Sequence, residues 1–394
     1  MTSVRRLYLD HNATAPLRPE ARAAYLSALD FTGNASSPHQ EGRKARGLID
    51  QAREQVAALC QSLPQSVIFT SGATEANAMA LSPHLRLTDP THKNARFDRL
   101  LVGATEHPSV MQGHGFAKEF VSTIKVNQDG LLDLGSLEEA LKQCEALGVH
   151  VLVSIQAANS ETGVLQDIGP ISMLVHRYGG LLHVDAVQAA GRLPLDRLCV
   201  GADLLSLSAH KIGGPQGVGA LVLRGGGIHF DHPLIRGGGQ ELGRRSGTEN
   251  VAGLHAFGAA CQTALNQLDQ ETPRLACLRD ALVAGLRSID PTLVVFGEKA
   301  ERLPNTVYFA PSFFDAQTAL MRFDLAGVAL SSGSACSSGK VKESHVLIAM
   351  DIDPALRKRA LRISLGWSST QDDVNRFCEL YAKEFRTKTG ARAA

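Results

Sequence analysis

The chain has 394 residues, enough for two domains or three at about 150 residues each. Its apolar content of 44% and charged content of 20% are those of an ordinary globular protein. A formal net charge of +1 removes any electrostatic case for nucleic acid or a membrane surface, and no apolar run approaches the roughly 18 residues of a membrane span.

The first residues carry Arg5 and Arg6 but no long apolar core and no small-residue cleavage site. They are not read as a secretory signal, and a cytoplasmic location is expected. A strand is predicted at Arg6–Asp10, followed by the loop His11–Pro16 and a helix over Glu20–Leu29. The period sharpens in Glu41–Cys60, where Leu48, Ile49, Ala52, Val56 and Leu59 share one helical face. Short apolar stretches then alternate with helical ones. Strands are predicted at Ser66–Thr70, Arg99–Ala104, Glu119–Val126, Val149–Ile155, Leu181–Asp185, Ala202–Ser208 and Val218–Leu223. That alternation indicates βαβ units and a mostly parallel sheet flanked by helices. Past about residue 250 the pattern becomes long helices, Ala252–Leu268 and Thr272–Ser288, with short strands at Leu293–Phe296, Asn305–Phe309 and Leu361–Leu365 and a helix at Thr370–Phe385. The expected organisation is α/β, with a large domain over 17–263 and a smaller α+β domain formed by 1–16 and 264–394. Thr88–Asp98 and Arg224–Arg236 read as surface loops, and Thr387–Ala394 as frayed.

Lys211 lies just past the apolar run Ala202–Ser208, and Asp185 closes the run Leu181–Asp185. An amine and a carboxylate at neighbouring strand ends are what pyridoxal 5'-phosphate requires. The lysine forms a Schiff base with the aldehyde, and the carboxylate keeps the pyridine nitrogen protonated. Val67–Asn77 reads as strand, tight glycine turn and helix start, and a helix N-terminus suits a phosphate. Thr74, Ser208, His210 and Thr248 add phosphate donors. His107 can lie on the pyridine face, and Gln188 can reach the ring's phenolic oxygen. Asn159 can donate to that oxygen or to a substrate carboxylate, and Arg362 offers a planar fork to an α-carboxylate. Other phosphate motifs fail: no Gly-x-Gly-x-x-Gly occurs, and Gly333–Lys340 departs from a P-loop in spacing and in Val341.

The seven cysteines are widely spaced, with no Cys-x-x-Cys, so neither a disulfide framework nor a zinc knot is indicated. The fourteen histidines show no His-Glu-x-x-His, and no firm metal site is expected. Cys60, Cys144, Cys199, Cys261, Cys277 and Cys378 read as inert core thiols. Cys336 stands apart, because Ser331–Lys340 surrounds it with small polar residues that cannot bury it. An exposed, mobile thiol within a loop of about 328–345 is expected, with Lys340 and Lys342 favouring the thiolate.

These blocks together resemble a cysteine desulfurase of the NifS/IscS type, within the fold-type I pyridoxal phosphate enzymes. The likeness runs from Tyr8-Leu-Asp-His-Asn-Ala-Thr-Ala-Pro16 to Arg362-Ile-Ser-Leu-Gly366. It includes Phe69–Asn77, Asn159–Gly163, His183–Gln188, Ser208–Pro215, Gly238–Asn250 and Ser331–Cys336, the last resembling the family's long-loop group. The resemblance implies that Ala73, Thr74, Ser208 and His210 bind phosphate, His107 stacks on the ring, Asp185 and Gln188 hold it, and Lys211 forms the Schiff base. Thr248 would reach the phosphate of the other subunit of a homodimer. Asn34, Asn159 and Arg362 would hold the L-cysteine carboxylate, and Cys336 would carry the persulfide. Delivery to an iron–sulfur scaffold or another acceptor protein is implied, with transient iron–sulfur ligation by Cys336 left open. His11 and Ala15 replace the family's usual Asn and Thr, and Ala35 follows Asn34 where proline is favoured. No family tail associated with scaffold docking is recognised, which leaves the acceptor open. Alternatives are a selenocysteine lyase or a cystine or cysteine β-lyase on the same scaffold, and a catalytically silent docking subunit.

Overall fold

The computed structural model describes residues 6–88, 95–332 and 343–390, without side chains for 387–390. Its centre is a seven-stranded sheet in the order Val67–Thr70, Gly219–Leu223, Leu204–Ser208, Leu181–Asp185, Val151–Gln156, Arg99–Gly103, Val121–Ile124. Only Gly219–Leu223 runs antiparallel to its neighbours. Most of the strands are apolar runs because both faces are covered, whereas the edge strand Val121–Ile124 is polar in part and half-exposed. Successive residues feed opposite cores: Val153 and Leu205 pack with Ile49, Val56 and Phe257, whereas Leu152 and Leu204 pack with Ile68, Met79 and Leu221. On the Gln40–Cys60 helix Ile49, Ala52, Val56 and Leu59 are buried as the period requires, while Leu48 at the edge of that face is only half-buried.

A second core joins Leu7 and Leu9 to Leu282, Leu286, Phe309, Phe323, Ile363, Phe377 and Tyr381. Its frame is the antiparallel sheet Val294–Val295, Thr306–Ala310 and Leu361–Ser364, with Leu7–Tyr8 paired in parallel to Val328–Ala329.

One helix, Val251–Ile289, runs through both cores where the sequence suggested two. Pro273 sits inside it, and an interior proline costs about 3 kcal/mol through its lost N–H and ring clash. Continuation is favoured because Leu254, Phe257 and Cys261 are buried in the first core and Leu275, Leu278, Leu282 and Leu286 in the second. Each such leucine contributes roughly 1.5–3 kcal/mol, so the burial outweighs the proline.

The two stretches read as surface loops also carry structure. Ala95–Arg96 and Ile228–Phe230 flank Leu85–Leu87 in a small antiparallel sheet. Their arginines, histidine and the glycines at 225–227 hid any alternation. Four of the six cysteines read as core thiols are buried, but Cys277 is exposed and Cys378 only partly covered. Cys277 is on the outer side of the long helix, a position that two separate helices did not reveal. Among the described residues no helix is long and apolar enough to cross a membrane.

Candidate active site

Asp185 and Ser208 end adjacent parallel strands, and Lys211 follows on the single turn Ala209–Ile212. Side chains there converge on the carboxyl edge of the sheet, where open α/β sheets place ligands. Lys211 Nζ donates to the carbonyls of Asn12 (2.6 Å) and Ala13 (2.8 Å). Burial, reinforced by the Arg192 and Arg362 guanidinium groups, lowers its pKa to about 7 against the pull of Asp10 and Asp185. A free amine is therefore abundant near neutrality.

Asp185 is buried, and its carboxylate is fixed by two donors. Asn77 Nδ2 donates to Oδ2 at 2.9 Å, and the Val187 N–H donates to Oδ1 at 3.0 Å. Asn77, from the helix Ala73–Ala80, also donates to Ser109 Oγ at 2.9 Å. In the sequence it is simply the last residue of the strand–turn–helix block Val67–Asn77. The clue was a polar residue on the otherwise apolar face Ala76, Asn77, Ala80.

His107 caps the turn Pro108–Met111, its Nδ1 accepting from the Ser109 N–H at 3.1 Å. Burial lowers its pKa, partly offset by Asp185, so the ring is neutral at pH 7. The neighbouring Glu106 is fully enclosed: Oε1 accepts from the Gln156 N–H at 2.8 Å, and burial holds its carboxyl well above the usual range.

The N-terminus of Ala73–Ala80 follows Gly72, whose φ of 154° suits glycine, and no side chain caps it. Its first N–H groups, at Ala73 and Thr74, are available to an anion. His210 Nδ1 meets Thr14 Oγ1 at 3.2 Å, and burial lowers its pKa to about 4. Gln188 donates from Nε2 to the Asn12 carbonyl at 3.1 Å. Thr248 and Asn34 are exposed, and Asn34 Oδ1 accepts from the Ser36 N–H within its own turn.

Two of the expected substrate binders are already engaged. Asn159 Oδ1 accepts from the N–H groups of Glu161 and Thr162, and Nδ2 donates to Thr105 O and Gln156 Oε1. It braces the turn Asn159–Gly163, a role its Asn-x-x-x-Gly pattern already hinted at. Arg362 donates to Ser160 O at 2.9 Å and pairs with Asp10 at 2.7 Å, leaving a buried Nε without a partner among the described residues. Glu161 and Ser344, which the sequence reading passed over, are hydrogen-bonded to each other, and His345 Nε2 lies 2.9 Å from the Glu106 carbonyl. Cys336, Lys340 and Lys342 lie outside the described residues.

This lysine–aspartate edge, with an uncapped helix N-terminus beside it, fits pyridoxal phosphate. Residues 7–377 match the family model for Aminotransferase class-V. The chain belongs to that family. Its members are pyridoxal phosphate enzymes, so the cofactor that the edge fits is the family's own. The cysteine desulfurase IscS of Dictyoglomus turgidum is 36% identical over 375 residues, 94% of this chain and 92% of that one. The structure of a NifS-like protein from Rickettsia africae superposes with a TM-score of 0.85 at 34% identity, covering 97% of this chain and 100% of the other. A structure described as SspA in complex with cysteine gives a TM-score of 0.70 at 26% identity, covering 91% and 98%. The fold-type I architecture expected from the sequence is thus the one observed.

Of the three positions at which the sequence departs from the resembled pattern, His11 is one of two that line a small cavity with Lys211. It is buried, lies edge-on to Tyr8 at 5.4 Å, and burial depresses its pKa to about 3. Gly366 makes the space for its ring, since a Cβ there would lie 1.8 Å from His11 Nδ1. Gly366→Ala is expected to lose about 1–3 kcal/mol in urea unfolding from overpacking. The paired change with His11→Asn should recover most of it.

Proposed function

We propose that this protein is a cysteine desulfurase, moving the sulfur of L-cysteine onto Cys336, releasing L-alanine and passing the sulfur to an acceptor. The observation that carries the reading is the Lys211 amine, lowered to about 7 and one strand away from an anchored Asp185. Bound there, pyridoxal phosphate supplies an aldehyde for that amine and an electron-accepting ring for the substrate. Asp185 holds a proton at the ring nitrogen, its carboxylate kept in place by Asn77. Neutral His107 covers the ring and passes protons, and Gln188 donates to the ring oxygen. Ala73, Thr74, Ser208 and His210 hold the phosphate, joined by Thr248 from a second copy in a homodimer. Its exposure in the single chain supports that assignment.

Arg362 binds the substrate carboxylate, with its unpartnered Nε as the available donor. Asn34 closes over the substrate from the surface, and Asn159 acts through the turn it braces. Freed Lys211 takes the Cα proton. The Cys336 thiolate attacks the substrate sulfur. An S–S bond forms as the Cβ–S bond breaks, and its electron pair is protonated on the way to alanine. The acceptor is an iron–sulfur scaffold or another sulfur-accepting protein, and any cluster ligation by Cys336 is transient. Among the described residues no cluster of His, Cys, Asp or Glu could hold a metal ion. The two buried cores support a division into 17–263 and 1–16 with 264–394, the boundary falling within the long helix.

After exposure to L-cysteine, intact-mass measurement should show one added sulfur, and peptide mapping should put it on Cys336. Pyruvate and ammonia formed with no sulfur increment would instead mark a β-lyase, and turnover of L-selenocysteine but not of L-cysteine would mark a selenocysteine lyase; either result would sink the proposal.

A further inference from the structure

Arg192 follows the turn after Asp185, and its guanidinium is a buried cation to which no part in holding the cofactor or substrate is assigned above. Its side chain is enclosed, and among the described residues no carboxylate pairs with it. The other buried arginines of the region do have acids: Arg18 is held by Glu271 and Arg362 by Asp10. Arg192 instead donates from one nitrogen to both the carbonyl and Oε1 of Gln188, and from the other to the His11 carbonyl at 3.5 Å.

Those contacts decide which way Gln188 faces. A guanidinium can only donate, so the atom of Gln188 meeting it must be the amide oxygen. The amino nitrogen is then the one that meets the Asn12 carbonyl at 3.1 Å, and that same carbonyl accepts from Lys211 at 2.6 Å. Both ends of the amide give the same orientation, and one further N–H remains on that nitrogen for a ligand. Arg192, Lys211 and His11 also line one small cavity of about 20 Å³, which places Arg192 and Lys211 beside each other. The charged and titratable groups around Lys211 are Arg192, Arg362, Asp10, Asp185, His107 and His210. Among the described residues Arg362 is balanced by Asp10, whereas no carboxylate balances Arg192. A buried charge without a counterion is unfavourable for stability alone, and an apolar residue of similar volume would pack there at lower cost.

We propose that Arg192 is a positioning residue of the cofactor site, fixing the Gln188 carboxamide with its amino group toward the ligand and setting an unbalanced positive charge beside Lys211. The inference rests on the cofactor reading above. Charge repulsion disfavours a proton on the Lys211 nitrogen, so removing the guanidinium must make that nitrogen easier to protonate. Burial lowers the Lys211 pKa most, and the Arg192 charge acts in the same direction.

The test uses cofactor-loaded protein and follows its visible absorbance with pH in wild type, Arg192→Lys, Arg192→Gln and Arg192→Met. The neutral variants should move the midpoint upward by about one unit, the scale of a nearby charge. Arg192→Lys, which keeps the charge, should stay near wild type. Borohydride reduction and peptide mapping on the same samples show which side chain holds the cofactor. Label on a residue other than Lys211 would defeat the cofactor reading itself. Label on Lys211 with unshifted midpoints in both neutral variants would overturn the role of Arg192 alone. If circular dichroism shows both neutral variants unfolded while Arg192→Lys is folded, the cation is structural and the proposal also fails.

Discussion

Lys211→Ala is expected to lower turnover of L-cysteine by about 10⁴-fold, the upper end for losing a positioned acid–base group. Borohydride should then fix no cofactor to the protein. The fold should survive, because among the described residues the amine is bonded only to the carbonyls of Asn12 and Ala13, and a typical hydrogen bond contributes about 1 kcal/mol net. Thermal unfolding would separate the two effects. The pH dependence follows from the same environment. With the pKa lowered to about 7, the neutral amine dominates above that value and falls tenfold with each unit below it. Capture of pyridoxal phosphate by the cofactor-free protein should decline in step on acidification. A capture rate flat from pH 8 to pH 5 would contradict the assignment.

Cys336→Ala is the second large effect, on the order of 10³-fold or more in sulfur transfer. The variant should load cofactor normally, and L-cysteine should still perturb its absorbance, because Lys211, Asp185 and His107 are untouched. No sulfur increment should appear on the protein, and thiol acceptors should receive none. Sustained sulfide release at the wild-type rate would require a different nucleophile. The two variants thus divide the reaction: one removes the base that takes the Cα proton, the other only the nucleophile that accepts the sulfur.

The sheet was readable in the sequence because its strands are short apolar runs punctuated by glycines, and Leu181–Asp185 was delimited to the residue. Lys211 and Asp185 were readable for the same reason, since each directly follows or ends such a run. What escaped was whatever depends on contacts between distant segments. The long helix passes through Pro273 because two separate cores grip its halves, which no local propensity records. Asn159 looked like a free donor, yet its amide is consumed by Thr105, Gln156 and its own turn. Arg362 looked like an open fork and meets Asp10. Asn77 and Arg192 resembled any helix asparagine and loop arginine until Asp185 and Gln188 were placed beside them.

The carbonyls that steady Lys211 belong to Asn12 and Ala13, and the segment around them is tied to strands made last. Leu7 pairs with Val328, and Asp10 meets Arg362 from 352 residues away. Contacts of such sequence separation form slowly and late. On a ribosome the first dozen residues must wait, unpartnered, until nearly all the rest has emerged. Vitamin-derived cofactor therefore has no finished socket to enter during translation, and its capture belongs to the completed polypeptide.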